Sequence, residues 1–158
     1  MSGQDPADLW WATHPVPPGP SPPKGSYLPV VVSGSLAIVS GQLPLEGGKL
    51  VAEGLVDREV PEELARRAAR AAALNGLAAL RSALGGFAPV VHVLRVGVYV
   101  ASSEGFSRQP AVANGASDLL AEVLGERGGH ARVAVGTARL PMNSPVEVEL
   151  WVAVKNGP

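Results

Sequence analysis

The chain has 158 residues, 46% of them hydrophobic and 17% charged, and a net charge of −1 at pH 7. That length supports one domain with a sizeable core, and the balanced charge offers no basic stripe of the kind nucleic acid demands. The chain has no cysteine, which excludes disulfides, thiolate catalysis and thiolate metal sites.

Residues 1–29 form a proline-rich N-terminal arm, holding eight of the 15 prolines, and residues 30–158 form the domain proper. Pro15–Pro23 is too rich in proline for a helix or a central strand. Trp10 and Trp11 precede it, and two adjacent tryptophans are expected to dock on the domain or on a neighbouring subunit. Val30–Ser33 and Leu36–Ser40, joined by Gly34-Ser35, read as a hairpin. Leu45–Arg58, with Gly47, Gly48 and Gly54, reads as a loop with room for one short strand. Pro61–Leu84 is the clearest helix, with Glu62 and Glu63 at the positive end of its dipole and Gly85-Gly86 as its stop. Its arginines, Arg66, Arg67, Arg70 and Arg81, belong at the solvated margins.

Val90–Ala101 reads as a long strand, with Val90, Leu94, Val96, Val98 and Val100 on one face. Val91, Val93 and Tyr99 make the other face apolar as well, so both sides are expected to be covered, one by helices and one by another subunit. His92 is expected to be a buried or interface histidine. Arg108–Arg127 reads as a second helix with Leu119, Leu120, Val123 and Leu124 inward. Strands Arg132–Arg139 and Val146–Lys155 complete an α+β order of ββαβαββ, one mixed sheet with two helices on one face. No stretch approaches the roughly 18 apolar residues of a membrane helix, and no basic-then-apolar leader is present. A cytoplasmic protein with no membrane partner is therefore expected. The low surface charge points to apolar area hidden in an oligomer.

Chemistry-bearing motifs are sparse. Gly47-Gly48-Lys49-Leu50 lacks the remaining residues of a phosphate loop, and there is no G-x-S-x-G elbow. His14, His92 and His130 share no ligand spacing, so no metal is expected. What stands out is one arginine opening an apolar strand, Arg132, followed after a short turn by a strand with two carboxylates on one face, Glu147 and Glu149.

Gly25-Ser26-Tyr27, Val39-Ser40-Gly41-Gln42, and Arg132 … Leu140-Pro141 … Val146-Glu147-Val148-Glu149 together resemble the Rid (YjgF) family of reactive intermediate deaminases. The resemblance runs from about Lys24 to Val154. It implies a chorismate-mutase-like fold and a homotrimer whose sheets form a barrel, with ligand sites in the clefts between subunits. It further implies hydrolysis of 2-imino and 2-enamino acids to 2-oxo acids and ammonia without a cofactor. Carried over by residue, Arg132 would hold the substrate carboxylate and Glu147 would handle the attacking water. Tyr27, Ser40 and Gly41 would line the cleft, and Asn114 lies one residue off the family's helix asparagine. Two positions depart from the pattern. Val133 follows the arginine where Ser or Thr is usual, and Ala134 stands where many imine deaminases carry cysteine.

The chemistry suits these residue types. Arginine grips a planar carboxylate through two parallel N–H bonds, glycine permits close approach of the backbone, and a carboxylate can take a proton from attacking water. Because Leu140–Pro145 is too short for a parallel crossover, the last two strands run oppositely, with Arg132 and Glu147 near opposite ends. At about 3.3 Å per residue they would lie roughly 20 Å apart in one chain, so they share a ligand only across a subunit boundary. Glu149 is expected to pair with a cation or reach solvent rather than act. Two alternatives remain: a non-catalytic trimer that binds a small carboxylated metabolite, and a ribonuclease or translation inhibitor, which the charge disfavours.

Overall fold

The computed structural model describes residues 3–156. In chain order the elements are α1 (Pro6–Thr13), β1 (Val30–Ser33), β2 (Leu36–Gln42), β3 (Leu45–Glu46), β4 (Lys49–Leu50), α2 (Glu62–Leu84), β5 (Val90–Ala101), α3 (Gln109–Leu124), β6 (Ala131–Thr137) and β7 (Val146–Val154). This is the ββαβαββ order, with α1 and the small β3–β4 hairpin added.

The sheet has five strands in the order β1-β2-β7-β5-β6. β5 and β6 are parallel, and the other pairs are antiparallel. The last two strands do run oppositely, but they are not neighbours, because β5 lies between them. β6 is therefore an edge strand, with one side unpaired within the chain.

α2 and α3 pack together and cover one face of the sheet. Alanines crowd the inner side of α2, and Leu77 and Leu80 are fully buried against it. Small side chains allow close approach: a Cβ added at Gly115 of α3 would lie 2.9 Å from the carbonyl carbon of Arg66 on α2. Gly85 ends α2 in the left-handed region, φ 72°, and its N–H returns to Arg81 O, which is the helix stop the sequence predicts. The helix arginines lie at its margins, and each is tied to a carboxylate: Arg66 to Asp118, Arg67 to Glu46, Arg70 to Glu122 and Arg81 to Asp8.

β5 departs from simple alternation. Its register against β7 shifts between Val90 and His92 and again between Val93 and Arg95. These irregularities reverse two expected positions: Val93 is fully buried and Leu94 is exposed, because a bulge moves side chains to the other face. His92 is also exposed in the chain rather than buried.

The arm is anchored. Asp5 caps α1 by accepting from Ala7 N at 2.9 Å, and it also holds both terminal nitrogens of Arg127, at 2.8 and 3.1 Å. Burial pushes the Asp5 carboxyl up, but the Arg127 fork and the Ala7 and Asp8 N–H groups outweigh it and hold it below the ordinary range. Asp8 accepts from Arg81 and from Phe87 N, each at 3.0 Å. Trp11 is buried with its ring edge-on to Phe87, centroids 5.4 Å apart. Trp10 is partly buried and stacks on His14 at 4.1 Å.

Candidate functional site

The helix-free face of the sheet carries Glu147, Glu149 and Trp151 of β7 beside Tyr99, Gly97 and Arg95 of β5. Glu149 pairs with Arg95 at 2.7 Å and accepts from the Tyr99 hydroxyl at 3.1 Å, so the expected cation partner is present. Burial raises the Tyr99 phenol, and the hydrogen bond and charge of Glu149 raise it further.

Glu147 is different. It is half-buried and makes no hydrogen bond or ion pair among the described residues. Burial pushes its carboxyl above the ordinary carboxylate range, and the charge of Glu149 pushes the same way. It lines a cavity of about 570 Å³ with Tyr27, Ser40, Gly41, Lys24, Leu45 and Met142.

A bulge in β2 shapes this cavity. Val39 pairs with Leu150 but Gln42 pairs with Val148, so Ser40 and Gly41 fall where the register shifts. A Cβ at Gly41 would lie 2.9 Å from the Glu147 carboxyl carbon, and nearer still to Oε1. Only glycine leaves that carboxylate its position. The Ser40 hydroxyl donates to Leu28 O at 2.6 Å, and Ser40 N donates to Pro29 O at 2.9 Å. Ser40 thus fixes the segment that carries Tyr27 over the cavity. On the far side Met142 and Asn143 both sit in the left-handed region, φ 58° and 59°. That conformation costs about 1–3 kcal/mol for a non-glycine residue, and here it sets Met142 in the cavity wall.

Arg132 is elsewhere. It pairs with buried Val96, whereas Glu147 pairs with Tyr99, so the two side chains leave opposite faces of the sheet. Three residues along β5 and two strand spacings across it separate their backbones by about 14 Å. This is less than the roughly 20 Å expected for adjacent hairpin strands, because the offset along the strands is three residues rather than six or seven, which outweighs the extra strand spacing that β5 adds. The guanidinium donates to Asn114 Oδ1 at 2.8 Å, to Ser117 Oγ at 2.9 Å and to Pro110 O at 3.4 Å, all on α3. Among the described residues eight of the ten arginines contact a carboxylate, and Arg132 is one of the two that do not.

Two supporting residues escaped the sequence reading. His130 Nδ1 lies 2.6 Å from Gly128 O and Nε2 lies 2.8 Å from Ser117 Oγ. A carbonyl only accepts, so Nδ1 carries the proton. In the neutral ring Nε2 then accepts from the Ser117 hydroxyl, leaving the Ser117 lone pair for Arg132. Asn114 and Ser117 are three apart on a helix and so share a face. His130 is two before Arg132 on an extended segment. Those spacings were the available signals. The structure thus brings Tyr27, Ser40, Gly41 and Glu147 together, brings Arg132 and Asn114 together, and keeps the two groups apart within one chain. No cluster of three or more His, Asp or Glu able to hold a metal occurs among the described residues.

Residues 17–154 match the family described as "YjgF/chorismate_mutase-like, putative endoribonuclease". The chain belongs to this family. A protein of Agrobacterium tumefaciens with unknown function, Atu1372, is 42% identical, with a TM-score of 0.85 over 95% of this chain and 92% of that one. A protein of Shewanella oneidensis, named a putative endoribonuclease, is 30% identical, with a TM-score of 0.89 over 96% of this chain and all of that one. Among curated proteins, TCP17 of Trypanosoma cruzi is 48% identical over 90 residues, and the match spans 56% of each chain. The YjgF chain thus carries its family's chorismate-mutase-like fold, and none of its described helices is long and apolar enough to cross a membrane.

Proposed function

We propose that this YjgF-family chain hydrolyses 2-imino acids to 2-oxo acids and ammonia, in a homotrimer whose sites are shared by neighbouring copies. One observation carries the reading. Among the described residues there are two half-sites, a recessed carboxylate without a cation and an exposed guanidinium without a carboxylate, on opposite faces of one sheet. A planar acid with an adjacent C=N carbon fits between them when the edge of one copy meets the helix-free face of the next. That face also exposes Val31, Val135 and Trp151, the kind of apolar area a neighbouring subunit covers.

In this site Arg132 of one copy holds the substrate carboxylate through paired N–H bonds, kept in plane by Asn114 and Ser117. Glu147 of the next copy takes a proton from water as the water oxygen bonds to the iminium carbon. The product of that step is a carbinolamine. Glu147 returns the proton to nitrogen and, again a carboxylate, takes the proton of the hydroxyl as the C–N bond breaks, ammonia leaves and the carbonyl forms. A carboxyl raised above its ordinary range is a better base and still delivers its proton. Tyr27 and the Ser40-Gly41 bulge close the cavity, and exclusion of water strengthens each contact. The ribonuclease reading that the relatives' names suggest sits poorly with a charge of −1 and with arginines mostly tied to carboxylates.

The test generates 2-iminobutanoate or 2-iminopropanoate with an amino-acid oxidase or dehydratase and traps it as the semicarbazone. Wild type lowers semicarbazone yield, and Arg132→Ala and Glu147→Gln do not. Undiminished semicarbazone with wild type would refute catalysis. Binding of a 2-oxo acid that needs Arg132 would then support a non-catalytic carboxylate binder. RNA cleavage that survives Arg132→Ala would favour a nuclease.

A further inference from the structure

The Glu147 cavity has a neighbour. A second cavity, about 650 Å³, lies beneath the arm, and it shares Ser21, Pro22 and Leu45 with the first. Its roof is the proline segment, including Pro17 and Pro20, and its floor is Ala71 and Leu74 of α2. Both volumes fall in the range of roughly 300–1,000 Å³ that accommodates drug-sized ligands, far more than a three- or four-carbon acid fills.

The roof is built to stay open. Six prolines between Pro15 and Pro23 restrict the backbone on either side of a bend at Pro18-Gly19, so the segment spans the gap rather than collapsing into it. One end is moored by α1 through the Asp5 and Asp8 contacts, and the other by Ser40 on Leu28 and Pro29. The junction is also fixed: buried Asn75 donates to Leu43 O and Leu45 O, at 2.9 and 3.0 Å. Apart from Asn75 and Glu46, the side chains around this second space are apolar or small. Glu46 is tied to Arg67.

We infer that the proline strap makes this chain selective for 2-imino acids with a bulky apolar side chain. The inference rests on the proposed reaction. The reacting carbon sits at Glu147, and the side chain passes between Pro22 and Leu45 into the chamber under the strap. Met142, unbranched and adaptable, forms the opposite wall.

The test uses the full chain and unreactive 2-oxo acids as probes, measured by titration calorimetry. 4-Methyl-2-oxopentanoate and 3-phenyl-2-oxopropanoate are expected to bind at least about tenfold tighter than 2-oxopropanoate, the least that burying added methylenes confers on a fitted pocket. Leu74→Trp, which fills the chamber, is expected to bring that ratio towards one. The double variant Pro17→Gly, Pro18→Gly loosens the strap at two residues outside the buried core, and it should lower the ratio as well. A wild-type ratio near one, or a ratio unchanged in both variants, overturns the inference. Parallel semicarbazide assays with imines from leucine and alanine separate it from the reaction. Equal turnover of both imines sinks the selectivity and leaves the reaction standing. Selective binding without turnover sinks the reaction and leaves the chamber standing. No binding of any 2-oxo acid overturns both.

Discussion

If Arg132 and Glu147 serve one ligand from different copies, two inactive variants should repair each other. Arg132→Ala removes a charge-assisted grip worth about 2–5 kcal/mol, a loss of roughly 30-fold to several thousand-fold in kcat/KM. Glu147→Gln removes the base and leaves the shape. Within one chain the two side chains lie on opposite faces of the sheet and two strands apart, so no relaxation of a single copy joins them. In a ring of mixed copies, a working site needs an intact Arg132 from one chain and an intact Glu147 from the next. In a trimer that holds both variants, one of the three boundaries joins an intact Arg132 to an intact Glu147, so about one site in three is restored. The assay is semicarbazone suppression by co-expressed, differently tagged chains purified through both tags, with native mass spectrometry to confirm mixed assemblies. The expected rate is about a third of wild type, far above either variant alone. Confirmed mixed assemblies with no more activity than the separate variants would refute the shared site.

Glu147→Gln carries a second expectation. The folded carboxyl titrates above its ordinary range, so the folded state binds the proton more tightly than the unfolded chain. Stability therefore falls as pH rises from the ordinary carboxylate value through the folded one. The variant should melt higher than wild type at pH 7 and show little gain near pH 4. Equal melting differences at both pH values would contradict it. Two glycine substitutions separate site from scaffold. Gly41→Ala should displace the Glu147 carboxylate and abolish turnover while leaving the circular dichroism spectrum native. Gly115→Ala drives a methyl into the backbone of α2 and should cost about 1–3 kcal/mol of unfolding free energy in urea. Asp5 has the opposite sign to Glu147: its folded carboxyl titrates below the ordinary range, so its contribution is complete above pH 4 and lost as pH falls through the folded value. Acidification should undock α1 early, seen as a red shift in tryptophan emission, and Asp5→Asn should show that emission already at pH 7.

Much of the fold is written in local pattern. Pro61, the alanine-rich stripe and Gly85-Gly86 delimit α2, and the two-residue turn at Gly34-Ser35 delimits the first hairpin. Other features depend on tertiary contacts. α1 is only eight residues long and is held by Trp11 on Phe87 and by two carboxylates on distant arginines. Asp5-Pro6 is nonetheless a readable helix start. Gly47-Gly48 between Leu45-Glu46 and Lys49-Leu50 likewise marks the β3–β4 hairpin. The bulges of β5 that exchange Val93 and Leu94 leave no sign in an all-apolar run, since either residue satisfies a buried position. The order of strands was also hidden. A short turn between β6 and β7 fixes their directions but not whether a third strand enters between them. For the site, residue types pointed to Arg132 and Glu147, and spacing alone separated them. The support from Asn114, Ser117 and His130 needed α3 to be laid beside β6.

The separation of the half-sites has a consequence for acid–base chemistry. An unoccupied neighbouring guanidinium near Glu147 would stabilise its ionised form and weaken it as a base. A substrate carboxylate held by Arg132 cancels that charge before water is attacked, so the basicity that burial gives Glu147 reaches its full extent when the correct ligand is present. A ligand without a carboxylate leaves the arginine's field on Glu147 and forfeits part of the rate even when it fits the cavity. In the proposed site, discrimination for acids therefore comes from the base as well as from the grip, and it follows from placing the two charges on different copies rather than pairing them within one.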